Sequence, residues 1–564
     1  MMFCKRSVTL LVLTVVLASL VADANAQRRR RPEPRLLTDE ERQQAVVDLD
    51  RLLKQTADNP AAASTDVEAA VSILSRAARA LPPEVLLEKL AGLRKNVGAG
   101  IPAADKPLKR EDSLERQILT LELNAIEGLS PDRVAAHPCA DAFPGPVPAD
   151  AERVTGCVEI ITDRPGWSNT GIYANAESPY WHSTGLYAAP GEVISVEVPD
   201  SASREGLSVR IGCHSDRLWR LDSWRRAPEI CVRRPIDSVR TEVASAFGGL
   251  IYIETPRDLS VPAFRVTITN AVPAPYYVLG KTDSATWNDS VRRLPAPWAE
   301  LQTDKVILTL PSDAVRHLDD PRALMEFWDG IMDRYTELLG LPPERRRIER
   351  FVSDLQISAG YMHSGYPLMT MLDITTTMVD KQRIAENRHH GVWGLFHEIG
   401  HNHQNRDWTF EGTTEVTVNL FSLYVMEKVC GLTTGGHPAV TEQARQRAIK
   451  RYFEGGRDFQ QWKSDPFLAL AMYIQLQQAF GWKPFTKVFA EYRGLSDQER
   501  PRTDNEKRDQ WLTRFSRAVG RDLGPFFQAW GVPTSDEARA AIADLPDWMP
   551  EDLPVVPQGS EQAQ

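Results

Sequence analysis

The stretch 396-FHEIGHNHQNRDWTFEGTTEVTVNLFSLYV-425 decides how the chain is read. It opens on His397-Glu398-Ile399-Gly400-His401, the pattern H-E-x-x-H. On an α-helix, residues i and i+4 lie on one face about a turn apart. Two imidazoles so placed can hold one Zn²⁺ at about 2.0–2.1 Å. Glu398 is next in line to the first of them. There a carboxylate flanks the ion without binding it, takes a proton from a metal-activated water and passes it to a leaving amine. Val392, Trp393, Leu395, Phe396 and Ile399 supply the apolar face that a buried helix needs. The competing reading is a helix whose histidines cap carbonyls or satisfy a core.

A hydrolytic zinc site needs a third protein ligand and one open position. Asp407 lies where the pattern H-E-x-x-H-x-x-G-x-x-H places its last ligand, but Gln404 stands in place of the required glycine and Asp407 in place of the histidine. Glu415 is the better candidate. Gly412 permits a sharp turn before it, and Val416, Leu420 and Leu423 suit a second helix packed beside the first. Glu411 precedes the glycine and is expected in the loop. His403, two residues after His401, should point away from the ion as a surface or supporting residue. The neighbours His389 and His390 cannot both face one metal from a regular helix and are read the same way.

These residues carry a family resemblance. His397–Gln404, Gly412-Thr-Thr-Glu-Val-Thr-Val-Asn419 and Ser422-Leu423-Tyr424 resemble the M60-like, enhancin-type peptidases. Further stretches agree: Trp298-Ala-Glu-Leu-Gln, Arg350-Phe-Val-Ser-Asp354, Gly360-Tyr-Met-His-Ser-Gly-Tyr-Pro367, Gly248-Gly-Leu-Ile-Tyr-Ile-Glu254 and Phe480-Gly-Trp482. The resemblance covers about residues 150 to 550. It implies a gluzincin-type zinc endopeptidase, often acting on mucin-type or other glycosylated proteins, with His397, His401 and Glu415 as ligands and Glu398 as general base. The helical residues before 130 match nothing nameable.

The rest of the chain sets the context. Its 564 residues allow several domains, and 42% apolar residues with 14 Trp allow a large core. A formal charge of −10 argues against nucleic acid as the main partner. A short basic start, an apolar run from Val8 to Val21 and small residues ending at Ala26 read as a secretory signal peptide over 1–26. The run is too short to span a bilayer comfortably, no later stretch can span one, and Cys4 is badly placed for a lipid anchor. The mature chain is therefore expected to be secreted or periplasmic, without a transmembrane segment. Export permits disulfides. The spacings suggest Cys139–Cys157 and Cys213–Cys231, with Cys430 a buried free thiol.

Periodicity divides the chain. Residues 27–135 read as a helical region, beginning with a basic, Pro-rich leader and a cap at Thr38. Residues 136–290 show short alternating runs, such as Glu192–Val198 and Leu250–Glu254, that imply a β-sandwich accessory domain. Residues 291–550 mix strands with helices, among them Pro321–Leu339 with Gly340 just past its end as the stop, are mainly helical after His397, and form the expected zinc peptidase domain. Residues 551–564 read as a flexible tail. The fold class is α+β multidomain.

Lesser signals complete the picture. His363 or Tyr366, in the Gly360–Pro367 turn, are candidates to stabilise an oxyanion or touch substrate. Trp167, Tyr173, Tyr180, Trp181 and Trp219 are read as filling the core and edges of the sandwich rather than stacking on sugars. Gly280-Lys281-Thr282 is a loop, since Pro275 occupies the first glycine of a phosphate loop. No G-x-S-x-G occurs. The expected activity is zinc-dependent hydrolysis of peptide bonds in extracellular, possibly mucin-type glycosylated, proteins. The alternative is a non-catalytic glycoprotein- or surface-binding adhesion protein that keeps the fold. The sequence sets no oligomeric state.

Overall fold

Thr38 and Glu41 close a reciprocal cap at the first helix. The Thr38 hydroxyl accepts from Glu41 N at 3.2 Å, and the Glu41 carboxylate accepts from Thr38 N at 2.8 Å. A computed structural model describes residues 36–389, 391–551 and 553. The expected signal peptide and all but two residues of the expected tail lie outside them. Four longer helices follow the cap: α1 (Asp39–Asp58), α2 (Val67–Ala80), α3 (Pro83–Val97) and α4 (Ser113–Glu127). Their apolar positions, among them Leu49, Leu74, Leu90 and Ile118, meet in one fully buried cluster.

The sandwich is built from β1 (Val154–Ile160), β2 (Tyr180–Ala188), β3 (Val193–Glu197), β4 (Ser208–Ile211), β5 (Val232–Pro235), β6 (Arg240–Ala244), β7 (Gly249–Thr255) and β8 (Phe264–Pro273). Their hydrogen-bonded order is β5-β4-β7-β2-β8-β3-β6, with β1 also on β8, and every pair is antiparallel. β8 joins the two halves. Its first part pairs with β1 and β3, the register breaks between Ile268 and Ala271, where Asn270 takes φ 61°, and its end pairs with β2. Such a break bends a strand and lets it serve both halves. Val196, Val209, Ile251, Ile253, Val266 and Ile268 fill the interior.

A second sheet begins at once. β9 (Tyr276–Val278), β10 (Trp298–Gln302), β11 (Val306–Pro311), β12 (Glu349–Asp354), β13 (Met362–His363) and β14 (Leu368–Met371) run in the order β9-β10-β11-β12-β14-β13, with β13 at an edge. The helix α5 (Pro321–Leu339) ends at Gly340, the stop expected from sequence, in the left-handed conformation at φ 63°. The later helices include α6 (Val392–His403), α7 (Thr414–Cys430), α8 (Pro466–Phe480), α9 (Lys483–Arg493) and α10 (Asp504–Val519). α7 and α8 are buried on most sides, which explains why apolar residues occur on every face of each. The chain is thus an α+β multidomain protein. Among the described residues no helix is long and apolar enough to cross a membrane.

The cysteine pairing suggested by spacing does not form. All five described cysteines carry free thiols. Cys139 is buried while Cys157 is exposed on β1. The β4–β5 ladder pairs Ile211 with Val232, which sets Gly212 rather than Cys213 against the Cys231 sulfur. Cys430 is half-buried, with its thiol directed at Ile384 O at 3.3 Å.

Buried ion pairs join the sandwich to the second sheet. Arg226 meets Asp354 through two bonds of 2.8 and 2.7 Å, with neither side chain exposed. Arg350, on β12, pairs with Glu300 on β10 and reaches Trp181 O and Ser183 on β2 at 3.1 and 3.0 Å. Tyr252 on β7 donates to the same Glu300 at 3.1 Å. Removing one partner of such a pair leaves an uncompensated buried charge. Glu300→Ala should therefore lower unfolding free energy by about 3–5 kcal/mol, read by urea denaturation.

Candidate metal centre

The Nε2 atom of His397 lies 3.0 Å from Glu415 Oε2, and that of His401 lies 3.5 Å from Glu415 Oε1. One donor atom from each of the three residues falls within 4.8 Å of the others. The two rings stand 4.6 Å apart at 88°. All three donors present lone pairs to a common point, so a cation there relieves their repulsion. Two imidazoles and one carboxylate form a donor set suited to a divalent ion such as zinc.

Local packing explains why Glu415 reaches that point. α6 and α7 lie side by side, and Gly400, between the two histidines, allows the contact. A Cβ at Gly400 would sit 2.9 Å from Val418 Cγ2 and 3.2 Å from Val418 O. Two amides then set the histidine tautomers. Asn419 donates to Glu415 O at 2.7 Å, which turns its oxygen to accept from His397 Nδ1 at 2.8 Å. Gln404 donates to Thr414 O and to the Thr417 hydroxyl, so its oxygen accepts from His401 Nδ1 at 2.8 Å. With each Nδ1 carrying the proton, each Nε2 faces the shared point with its lone pair. Sequence reading assigned no role to either amide. The signal was spacing: Asn419 is one turn beyond Glu415, and Gln404 three residues beyond His401.

The charges agree with this picture. Burial alone would lower the His397 pKa, but the Glu415 hydrogen bond and charge outweigh it and raise it to about 9. Burial likewise opposes ionised Glu415, yet His401 and His397 hold its carboxyl well below the usual range. Positive charge is thus favoured between them.

The other sequence candidates separate clearly. Glu398 is half-buried, and among the described residues its carboxylate has no hydrogen-bond or ion-pair partner. Asp407 is engaged by Arg500, and Glu411 is exposed and paired with Lys463 at 3.1 Å. His403 faces away from the triad, as expected, but it is buried rather than on the surface. It donates to Ile399 O at 2.7 Å and accepts from Arg345 at 2.9 Å. His389 accepts from Gly391 N at 2.9 Å, and His390 lies outside the described residues. Tyr366 is turned into the core between the sheets, where its hydroxyl accepts from Trp181 N and its ring lies beneath Arg347.

His363 sits at the end of β13 with both ring nitrogens engaged. Nε2 lies 2.8 Å from Asp216, and Nδ1 lies 2.9 Å from Ser364 O. Both partners accept, so both nitrogens must carry protons and the ring is an imidazolium. Burial opposes that charge, but the Asp216 bond and charge outweigh it, Glu398 adds to the effect, and the pKa rises to about 9. A second unexpected neighbour is Tyr173, whose ring meets His401 edge-on at 5.1 Å and 81°. Trp167 likewise leaves the sandwich and packs 5.7 Å from His403. Both were read as sandwich aromatics. No local signal marks Asp216 or Tyr173, because only the fold brings them here.

Two family profiles match adjacent stretches of the chain: the N-terminal domain of M60-like peptidases over residues 173–269, and peptidase M60, enhancin and enhancin-like, over 270–531. The chain belongs to the M60 peptidase family. Among curated relatives it is similar to a TRPM8 channel-associated factor homolog of Xenopus laevis, 43% identical over 397 residues, covering 69% of this chain and 41% of that one. It is also similar to human TRPM8 channel-associated factor 2, 37% identical, covering 84% and 50%. The chain thus spans about half the length of these curated relatives. Among solved structures, IMPa metallopeptidase from Pseudomonas aeruginosa shares the fold at 18% identity and TM-score 0.55, covering 86% of this chain and 62% of that one. The catalytic module of the metalloprotease ZmpA from Clostridium perfringens does so at 16% identity and TM-score 0.51, covering 70% and 79%. The family is one of metallopeptidases, and the His-His-Glu cluster lies within its matched region.

The His363–Asp216 pair gives a pH test. His363 has a folded pKa raised above its ordinary 6.5, so its contribution is full below about 6.5 and is lost as pH rises through about 9. Asp216 is held below its ordinary 3.8, so its contribution fades at still lower pH. The Tm gap between the parent protein and Asp216→Asn should therefore be widest at about pH 4–6.5 and close above pH 9.

Proposed function

We propose that this chain is an exported zinc-dependent endopeptidase whose substrates are extracellular proteins, mucin-type glycosylated ones among them. The observation that supports it best is the convergence of His397, His401 and Glu415 within 4.8 Å, with Glu398 beside them, whose carboxylate has no hydrogen-bond or ion-pair partner among the described residues. His397, His401 and Glu415 would hold the zinc. When bound, the ion would polarise a peptide carbonyl and acidify a water. Glu398 takes the proton from the attacking water and returns it to the departing nitrogen. Asn419 and Gln404 hold the histidine protons on Nδ1 throughout. His363 supplies a fixed positive charge near Glu398. Its two N–H groups are already committed, so it acts through charge rather than as a free oxyanion donor. Tyr366, turned into the core, takes no part.

The preference for glycosylated substrates draws on the fold neighbours, since IMPa is recorded in complex with an O-glycopeptide. Export draws on the signal-peptide pattern of residues 1–26. A second reading has its own support: the curated relatives are named for association with a channel. On that reading the chain binds a surface glycoprotein and does not cut it.

Incubation of the purified protein with casein and with mucin separates the two. Cleavage that falls by about 10²–10⁴-fold in Glu398→Gln, with zinc content unchanged, supports the peptidase. A zinc-loaded protein that leaves both substrates whole supports the binder. The ligand assignment has a separate readout. Glu415→Ala should lose zinc on dialysis while Asp407→Ala retains it, as measured by elemental analysis.

A further inference from the structure

Residues 161–179 connect β1 to β2, but they leave the sandwich and lie across the second domain. Trp167 pairs with Arg345: its backbone N donates to Glu344 O, its O accepts from Arg346 N, and its indole donates to Pro342 O at 3.0 Å. Asn169 donates to Glu349 at 2.9 Å, and that fully buried carboxylate accepts from Asn402 on α6 at the same distance. Gly171 rests on the α6 backbone so closely that a Cβ would fall 1.8 Å from Asn402 O. Ile172 N donates to Gln404 O at 3.0 Å. The segment is thereby fixed to the end of the helix that carries both histidines.

Tyr173 is the next residue. Its ring meets the His401 imidazole edge-on at 5.1 Å and 81°. One side chain from the connection between two sandwich strands therefore touches a histidine of α6. Gln404 already holds His401 Nδ1, which sets the tautomer and the in-plane direction. Tilting of the ring about that bond is what an edge-on aromatic blocks.

We propose that Tyr173 is a positioning residue of the metal centre, a brace delivered by the connection between two sandwich strands that holds the His401 ring in the arrangement that lets His401 and Glu415 share one ion. The inference rests on the reading that the triad binds a divalent ion. It assigns the sandwich a part in the site itself.

The test uses the full-length protein with Zn²⁺ and Co²⁺ as probes. Affinity is read by chelator competition, and ligand geometry by the visible absorption of the cobalt form. Tyr173→Ala should weaken zinc binding by about 10–100-fold, the range for groups that orient metal ligands, and should alter the cobalt spectrum. Tyr173→Phe keeps the ring against His401 and should restore the spectrum while recovering most of the affinity. Tyr173→Leu keeps bulk without a flat edge, should behave like alanine, and carries the test if the alanine variant melts. Parent-like affinity and spectrum in both the alanine and leucine variants would overturn the brace. A parent protein that takes up neither ion overturns the metal-site reading instead, so the two failures are distinct.

Discussion

Three electron-rich groups share one partly buried point: two imidazole nitrogens and the carboxylate of Glu415. With both imidazoles neutral they repel, and partial burial makes that repulsion more costly than in water. Everything around them serves either to supply a cation or to keep the three in place. Gly400 lets the second helix come close enough for the carboxylate to arrive. Asn419 and Gln404, each oriented by bonds of its own, decide which imidazole nitrogen bears hydrogen. The H-E-x-x-H pattern is thus only the visible part of a larger arrangement of acceptors and donors.

Much of that arrangement was legible in the sequence, for a physical reason. His397, Glu398 and His401 are related by helix geometry alone, and Glu415 by one short connection to a neighbouring helix. The strands read from alternation, the cap at Thr38 and the helix stop at Gly340 depend on local rules and appear where expected. The rest required the fold. Asp216 meets His363 across 147 positions of sequence. Tyr173 and Trp167 lie between two strand-forming runs, so they read as sandwich aromatics, yet their segment departs from the sheet. The cysteine spacings suggested loops of convenient size, but strand register, which spacing does not encode, places Gly212 against Cys231.

The division into accessory and catalytic parts also changes in meaning. Sequence composition shifts where the sandwich gives way to the second sheet, but the contacts do not thin out there. Arg226 with Asp354, and Arg350 with Glu300, are ion pairs without water, and such pairs are strict about geometry. Tyr252 and Ser183 from the sandwich complete the second of them. The two sheets therefore share polar networks as well as apolar surface, as the layers of one unit do.

The segment threaded between the sandwich and the end of α6 has a mechanical consequence. Many two-part enzymes admit substrate by swinging one lobe away from the other. Here such a swing would drag Gly171 and Ile172 along the very turn that presents His401, pulling its ring away from Glu415. The sandwich and the helical part are accordingly coupled at that turn, so neither can shift without disturbing the triad.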